Sequence, residues 1–261
     1  MITIKTKEQI DLMKVAGSIV AETLELLEHY AKPGISTKAL DKIAHDYIIN
    51  RGAKPSFLHY QGFPGTICAS VDDVIVHGFP SDKPLEEGQI LSVDCGAIYK
   101  GWHGDAARTF AIGKISPEKQ KLIDVTRECF FQGIKDLKEG SRLGDIGYRV
   151  QTHAEKHGYG VVRELVGHGI GRNLHEDPNV PNYGTAGTGL KLKAGNTIAI
   201  EPMINMGSRE VKLNGWDHRT RDGLPSAHYE NTVLITTTGC EILTQILPEG
   251  KEILTRKLEA E

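Results

Sequence analysis

The stretch TKALDKIAHDYIINRG, residues 37–52, decides the fold, because its pattern returns 106 residues later as LGDIGYRVQTHAEKHG, residues 143–158. In the first copy Leu40, Ile43, Ala44, Tyr47 and Ile48 share one helical face, and Gly52 is a residue for which a left-handed stop costs little. Ile146, Val150 and Gly158 stand at the matching places of the second copy.

The repeat extends outward. Upstream of the first copy, Thr6 and Gln9 form a capping-box signature, and Ile10, Met13, Ala16, Val20, Leu24 and Leu27 recur at helical spacing until Pro33-Gly34. Its counterpart opens at Ser116-Pro117, runs through Leu137 and breaks at Gly140, pairing Ala16 with Leu122, Ile19 with Val125 and Leu24 with Phe130. A period of about 20–50 residues would indicate a solenoid. One duplication of 106 residues instead predicts a single domain, 1–261, of two similar halves, roughly 1–110 and 111–261, with any site drawing on both.

Short β-rich runs follow each helix pair at 66–69, 74–76, 90–93, 106–112, 161–166, 197–200 and 229–236. Turn residues at Asp72-Asp73, Gly101 and Gly215 predict antiparallel pairing. The expected class is α+β, with helices on one face of a curved antiparallel sheet.

Composition excludes several functions. The 261 residues are 39% hydrophobic, enough for a sizeable core, and 31 Lys plus Arg against 34 Asp plus Glu leave a net charge of −3. No polycationic field exists to hold nucleic acid or membrane nonspecifically. Cys68, Cys95, Cys129 and Cys240 lie far apart with no C-x-x-C pair, as reduced, buried thiols of a cytosolic protein would. Nothing after Met1 resembles a signal peptide, and no apolar run reaches the roughly 18 residues of a membrane span. The expected location is the cytoplasm.

Acidic residues then stand out at β-rich positions. Asp94, in Ser-Val-Asp-Cys-Gly, and Asp105, in His-Gly-Asp-Ala-Ala-Arg, flank a predicted hairpin with its loop near residues 100–103, which would bring both to one end. Asp is depleted in strands, so the pair needs a reason, although turn acids facing solvent would look the same. Glu201 closes the apolar run Ala-Ile-Glu-Pro-Met, where an ionised carboxylate is costly without a partner, and Glu230 stands inside Ala-His-Tyr-Glu-Asn-Thr-Val-Leu-Ile. Alone, each could be a surface acid. With His168, set between Gly167 and Gly169, they make four carboxylates and one imidazole at expected strand ends, a donor set for hard to borderline divalent ions. Four carboxylates carry −4, which one divalent ion leaves at −2 and two ions balance, so a two-ion site able to activate a shared water is expected.

His77, in Val-Ile-Val-His-Gly-Phe-Pro, and His175, in Asn-Leu-His-Glu-Asp-Pro, leave β-rich or Gly-rich runs from which a ring can enter a cleft. A packing or surface role is the alternative for both. His29, His45, His59, His103, His153, His157, His218 and His228 are read as packing or surface residues. No H-E-x-x-H, G-x-S-x-G or G-x-x-x-x-G-K-[ST] occurs, so zincin, serine-hydrolase and P-loop chemistry have no support.

Taken together, Val76-His77-Gly78, Ser92-Val-Asp94, Gly101-Trp-His-Gly-Asp105, Val166-Gly-His168-Gly-Ile-Gly171, Leu174-His175-Glu176, Ile200-Glu201-Pro202-Met203 and Glu230-Asn-Thr-Val resemble the type I methionine aminopeptidases over nearly the whole chain. The resemblance implies the pita-bread (creatinase/aminopeptidase) fold, with pseudo-twofold halves around a curved antiparallel sheet and helices outside. It implies a metal-dependent exopeptidase that removes the initiator methionine from nascent chains and favours a small second residue; a monomer is expected, and docking on the ribosome is left open. By the same resemblance Asp94 binds one of two divalent ions (cobalt, manganese, iron or zinc), Asp105 and Glu230 bridge both, and His168 with Glu201 completes the other. His175 would contact the scissile carbonyl, His77 the amide nitrogen, and Glu201 would also relay a proton. Phe57, Tyr60, Phe63, Cys68, Leu174 and Trp216 would line the methionine pocket, with ordinary core packing as their other reading.

Three positions depart from the commoner bacterial pattern: Leu174 for Phe, Phe57 for Cys, and Asn231 for the His that often follows the bridging Glu. The zinc-binding or SH3-binding extensions of some relatives are not expected ahead of the first helix. A rival of the same fold is an X-Pro aminopeptidase or prolidase; such relatives generally carry a large extra N-terminal domain, whereas the stretch before His77 is expected to be taken up by the first helix pair. A rival of another class is a binding protein that kept the fold and lost its metals, against which all five ligand positions argue.

Overall fold

The Thr6 hydroxyl accepts the Gln9 amide and the Gln9 side chain accepts the Thr6 amide, closing the capping box that the sequence announces. This computed structural model describes residues 2–259, and Met1, Ala260 and Glu261, at the ends of the expected domain, lie outside the described residues. The box opens α1 (Lys7–Tyr30), and α2 (Thr37–Asn50) follows from a Ser36 cap. Then come β1 (Lys54–Pro55), β2 (Ile67–Val71), β3 (Val74–Val76), β4 (Ile90–Tyr99) and β5 (Trp102–Ala111). The second half opens with α3 (Pro117–Ile134) and α4 (Leu143–Lys156). Its strands are β6 (Gly160–Val161), β7 (Gly167–Gly169), β8 (Glu176–Val180), β9 (Thr197–Ile200) and β10 (Met203–Asn205), then β11 (Val211–Asn214), β12 (Asp217–Thr220), β13 (Ser226–His228), β14 (Asn231–Ile235) and β15 (Cys240–Ile242). Helix α5 (Pro248–Glu259) is the last described element.

Helices α2 and α4 are both 14 residues long, and their starts, Thr37 and Leu143, are separated by the 106-residue shift read from the sequence. Each helix pair has its own core. Ile19, Leu24, Leu27, Leu40 and Ile48 bury against Leu91, Val93, Ala106 and Phe110 in the first half. Leu122, Phe130, Ile146 and Val150 do so against Ile198, Ile200, Ile204 and Val233 in the second. Helix α1 lies almost on the sheet backbone: a Cβ on Gly104 of β5 would stand 2.6 Å from the Gly17 nitrogen, and one on Gly17 would strike the Leu243 carbonyl on its other side, so neither position has room for a side chain.

Every strand pair among the described residues is antiparallel. The expected curved sheet is built from separate groups, chiefly β1-β4-β2 with β5 on β4, and β15-β14-β9-β7-β8. Pro202, between β9 and β10, has no N–H for a ladder, which is a reason for the break there. Reciprocal backbone bonds between Ala107 and Glu230, at 3.4 and 3.0 Å, sew the two large groups together at the seam of the halves.

The structure corrects three expected boundaries. The hairpin is longer than 90–93 plus 106–112, because pairing runs unbroken from Ile90 opposite Ala111 to Tyr99 opposite Trp102. Its two-residue turn, Lys100-Gly101, has φ of 47° and 83°, the doubly left-handed geometry that matches strand twist. Helix α3 stops at Ile134, with Asp136 at φ 58°, although Leu137 remains buried. The strand expected at 161–166 pairs only through Gly160 and Val161, and the rest forms loop above the cleft described next. Among the described residues no helix is long and apolar enough to cross a membrane.

Candidate metal centre

Strand register explains how acids far apart in sequence meet. In the β4–β5 hairpin Asp94 lies opposite Ala107 and Asp105 opposite Gly96. Asp105 is two residues from Ala107, so alternation puts both aspartates on one face as a diagonal pair. They sit within the strands, not at the ends as the sequence suggested, because the hairpin continues beyond them. On the other group, His168 of β7 pairs with Ala199 of β9, and Glu201 lies two residues on, aligned with the same face. Asn231 pairs with Ile200, so the register carried one step further sets Glu230 opposite Glu201. The Thr232 hydroxyl accepts the Asp105 amide and donates to the Asp105 carbonyl, at 3.1 and 3.0 Å, holding the groups in place.

The five expected residues therefore converge. His168 Nε2 is 3.8 Å from Asp105 Oδ2 and 3.7 Å from Glu201 Oε1. Ligand atoms of Asp105, His168 and Glu230 all lie within 4.8 Å of one another, as do those of Asp94, His228 and Glu230. His168 Nδ1 donates to the Gly169 carbonyl at 2.8 Å, which fixes the tautomer and leaves Nε2 with a lone pair toward the carboxylates.

Charge shows what the cluster lacks. Burial pushes Asp94 up to about 7 and Glu201 up to about 8, and drives Asp105 and Glu230 well above the ordinary carboxylate range; neighbouring carboxylates add to burial at Asp94, Asp105 and Glu230. Glu22, equally buried, is bonded by Arg51, Tyr47 and Ser18. Among the described residues, the ion pairs of Asp105, Glu201 and Glu230 are all to His168 or His228, which burial holds down to about 3 and about 4 and so keeps neutral. Asp94 Oδ1, Asp105 Oδ1 and Glu230 Oε1 are buried with no hydrogen-bond partner. A divalent cation supplies the positive charge and acceptor-matched coordination that this set is missing, so the residues fit a metal.

The carboxylates form the floor of a cleft of about 210 Å³. Phe57, Tyr60, Phe63, Cys68, Leu174, Trp216, His77 and His175 all line it, so every residue singled out in the sequence reaches one space. Phe57, Phe63, Cys68 and Leu174 also belong to a buried cluster with Met13 and Ile170, so the same side chains line the cleft and pack in the core. The His175 Nδ1 is hydrogen-bonded to the Tyr60 hydroxyl at 2.8 Å, leaving Nε2 for other partners. His77 has φ of 62°, a strained conformation for a non-glycine of the kind that gathers at functional sites. Its ring stacks edge-on to His218 and Trp216, and its Nδ1 is buried without a partner. Gly78 allows the turn, since a Cβ there would strike the Ala69 carbonyl.

The sequence missed some residues. Gln61, Val76, Leu165, Val166 and Met203 also line the cleft, the last three from a loop and a strand with no polar signal. His228, read as packing, lies against the carboxylates. A wider groove of about 680 Å³ on the helix side, lined by Glu25, Glu28, Arg108 and Arg127, holds none of the expected site residues.

The buried histidines have a consequence for stability. Burial lowers His103, which is bonded to Ser56 Oγ at 2.9 Å, from 6.5 to about 4. The unfolded chain then binds this proton first, so the contribution is fully present above 6.5 and is lost as pH falls towards 4. The buried carboxylates titrate in the opposite sense, so the histidine is read by difference. We expect the plot of Tm against pH to lose about one proton's slope across this window in His103→Gln relative to wild type. Parallel plots for the two proteins would show that His103 is not held neutral by the fold.

Comparisons with known proteins agree with this geometry. The profile of metallopeptidase family M24 matches residues 11–237. Methionine aminopeptidase of Clostridium perfringens (strain 13 / Type A) is 52% identical over 248 residues, covering 94% of this chain and 100% of that protein. Methionine aminopeptidase 1 of Bacillus subtilis (strain 168) is 48% identical over 248 residues, with the same 94% and 100% coverage. The crystal structure of methionine aminopeptidase from Rickettsia prowazekii superposes with a TM-score of 0.92 at 43% identity, over 94% of this chain and 100% of that one.

Proposed function

The chain belongs to metallopeptidase family M24, among its methionine aminopeptidases, and from that membership we propose that it removes the initiator methionine of new proteins with two divalent ions and favours a small second residue. The observation that carries the reading is the buried four-carboxylate floor of an aromatic cleft, whose ion pairs among the described residues are all to histidines held neutral by burial.

In this reading the chain acts as one domain of two halves. Asp94 would hold one ion, His168 with Glu201 the other, and Asp105 and Glu230 would serve both. Four carboxylates at −4 are balanced by two divalent cations and not by one. Cobalt, manganese, iron or zinc would each suit the donors, and bound there they supply Lewis acidity and an activated water. The remaining work falls to side chains. His175, with Nδ1 tied to Tyr60, offers Nε2 to the scissile carbonyl oxygen, where charge develops. His77 is held down to about 4 by burial and is therefore neutral as it meets the scissile amide nitrogen. Glu201 relays the proton to the departing amine. Phe57, Tyr60, Phe63, Cys68, Leu174 and Trp216 surround the methionine side chain with dispersion and sulfur contacts. The cytoplasm, where nascent chains leave the ribosome, is the proposed place of action of the monomer, and the four free cysteines Cys68, Cys95, Cys129 and Cys240 suit it.

A peptide panel tests the reading: Met-Ala, Met-Gly, Met-Lys, Leu-Ala and Ala-Pro starts, each with each metal. Cleavage of Met-Ala and Met-Gly well ahead of Met-Lys and Leu-Ala is expected. Cleavage of Ala-Pro in preference to Met-Ala would transfer the chain to the X-Pro peptidases of the same fold.

Trp216 tests the pocket. It is 37% exposed, and its ring meets Phe63, Phe79 and His77 at centroid distances of 5.8, 6.1 and 6.3 Å. Losing contacts worth about 0.5–1.5 kcal/mol should raise KM for Met-Ala-Ser about three- to tenfold and blunt the preference for Met over Leu, with kcat little changed. Unchanged KM and selectivity in a folded Trp216→Ala protein would return the residue to a structural role.

A further inference from the structure

His228 belongs to the carboxylate cluster but to none of the roles assigned so far. It ends β13 and is 1% exposed. Its main chain is clamped: the His228 N–H donates to Thr109 Oγ1 and that hydroxyl donates to the His228 carbonyl, both at 2.9 Å. The ring is thereby aimed at the acids. Nε2 stands 3.5 Å from Glu201 Oε2 and 3.8 Å from Glu230 Oε2, and it has no hydrogen-bond partner.

These separations are too long for hydrogen bonds. The 3.8 Å to Glu230 suits two donors on one ion, because metal–ligand distances of about 2.0–2.2 Å at ordinary coordination angles set neighbouring donor atoms roughly 3–4 Å apart, while Glu201, assigned to the other ion, borders that position. His168, on the other side of the cluster, keeps the same spacing, 3.8 and 3.7 Å, from its two carboxylates. The ligand atoms of Asp94, His228 and Glu230 lie within 4.8 Å of one another, as do those of Asp105, His168 and Glu230. Asn231, the neighbour of the shared Glu230, is committed elsewhere, with Oδ1 accepting from Arg108 and from Thr244. His228 does not line the cleft but the groove behind it, so its ring adds a donor without occupying substrate volume.

We propose that His228 is a nitrogen ligand of the metal centre, on the ion that Asp94 and Glu230 hold, so that each ion carries one imidazole. The proposal rests on the two-ion reading above. Its chemical consequence is selectivity: an imidazole in place of an oxygen donor moves that position from manganese and magnesium toward zinc and iron.

The test is X-ray absorption on the zinc-loaded full chain, with calorimetric titration of zinc and of manganese into the metal-free protein. Two imidazoles per two zinc ions are expected in wild type and one in each of His228→Gln and His168→Gln. Zinc affinity of one site should fall at least about tenfold in His228→Gln, and manganese affinity less. One imidazole in wild type, or a count and zinc affinity unchanged in His228→Gln, overturns the assignment. A wild-type count of one together with weakened binding in His228→Gln also overturns it, since the ring would then only orient Glu201. Should His228→Gln not fold, the wild-type count alone decides. The two readings fail differently: if Asp105→Ala binds metal as wild type does, the carboxylate centre itself is wrong, whereas metal loss in Asp105→Ala and His168→Gln beside a single wild-type imidazole removes only His228.

Discussion

Asp105→Ala is expected to lose more than about 100-fold in turnover and to lose metal with it, since even partners outside the coordination sphere cost about 10- to 100-fold in metal affinity or activity. Asp105 is buried, its Oδ1 has no partner, and its backbone is held independently by Thr232, so the strand survives the truncation. A second readout separates this from misfolding. In the metal-free protein the carboxylate is crowded by Asp94 and Glu201, so its removal should leave Tm unchanged or raise it. Calorimetric titration should show weak or missing binding at the shared position. Wild-type turnover by Asp105→Ala at controlled metal content would sink the two-ion mechanism.

His175→Ala should instead separate catalysis from metal binding. The ring centroid lies 4.3 Å from that of His168, close enough that a ligand role has to be tested. Yet its Nδ1 is held by Tyr60, and it belongs to neither group of residues whose ligand atoms meet at the carboxylates. Loss of a positioned donor to developing charge costs about 100- to 1000-fold in kcat. We expect that loss with metal affinity near normal and KM little changed, the reverse of the Trp216→Ala pattern. An affinity drop equal to that of His168→Ala would make His175 a ligand.

Much of the site was legible because its residues break local rules. Asp in strands, Glu at the end of an apolar run and an imidazole between glycines each cost something without a partner, and the order of motifs made the resemblance specific. The aromatics of the cleft were legible only through that resemblance, since Phe57 to Cys68 reads equally as core, and in the structure these residues both line the cleft and pack in a buried cluster. His228 was not legible at all. It sits in an ordinary strand between Ala227 and Tyr229, and its significance comes from Glu201, with which it shares no spacing rule.

By itself the sequence determined what local physics governs: the Thr6 cap, the helix stops at Gly52 and Gly158, a turn at Gly101 and the 106-residue echo of one half in the other. Each depends on residues within a few positions, where hydrogen bonds and allowed backbone angles are set by near neighbours. Only the tertiary structure decided that Glu230 faces Glu201, that Asp94 and Asp105 share a face two residues out of register, and that His228 meets the acids from behind. Those relations depend on strand register and on the seam at Ala107 and Glu230, joined across more than a hundred residues of chain. A buried charge acquires its meaning from whatever stands beside it, and here what stands beside it arrives from the other half of the molecule.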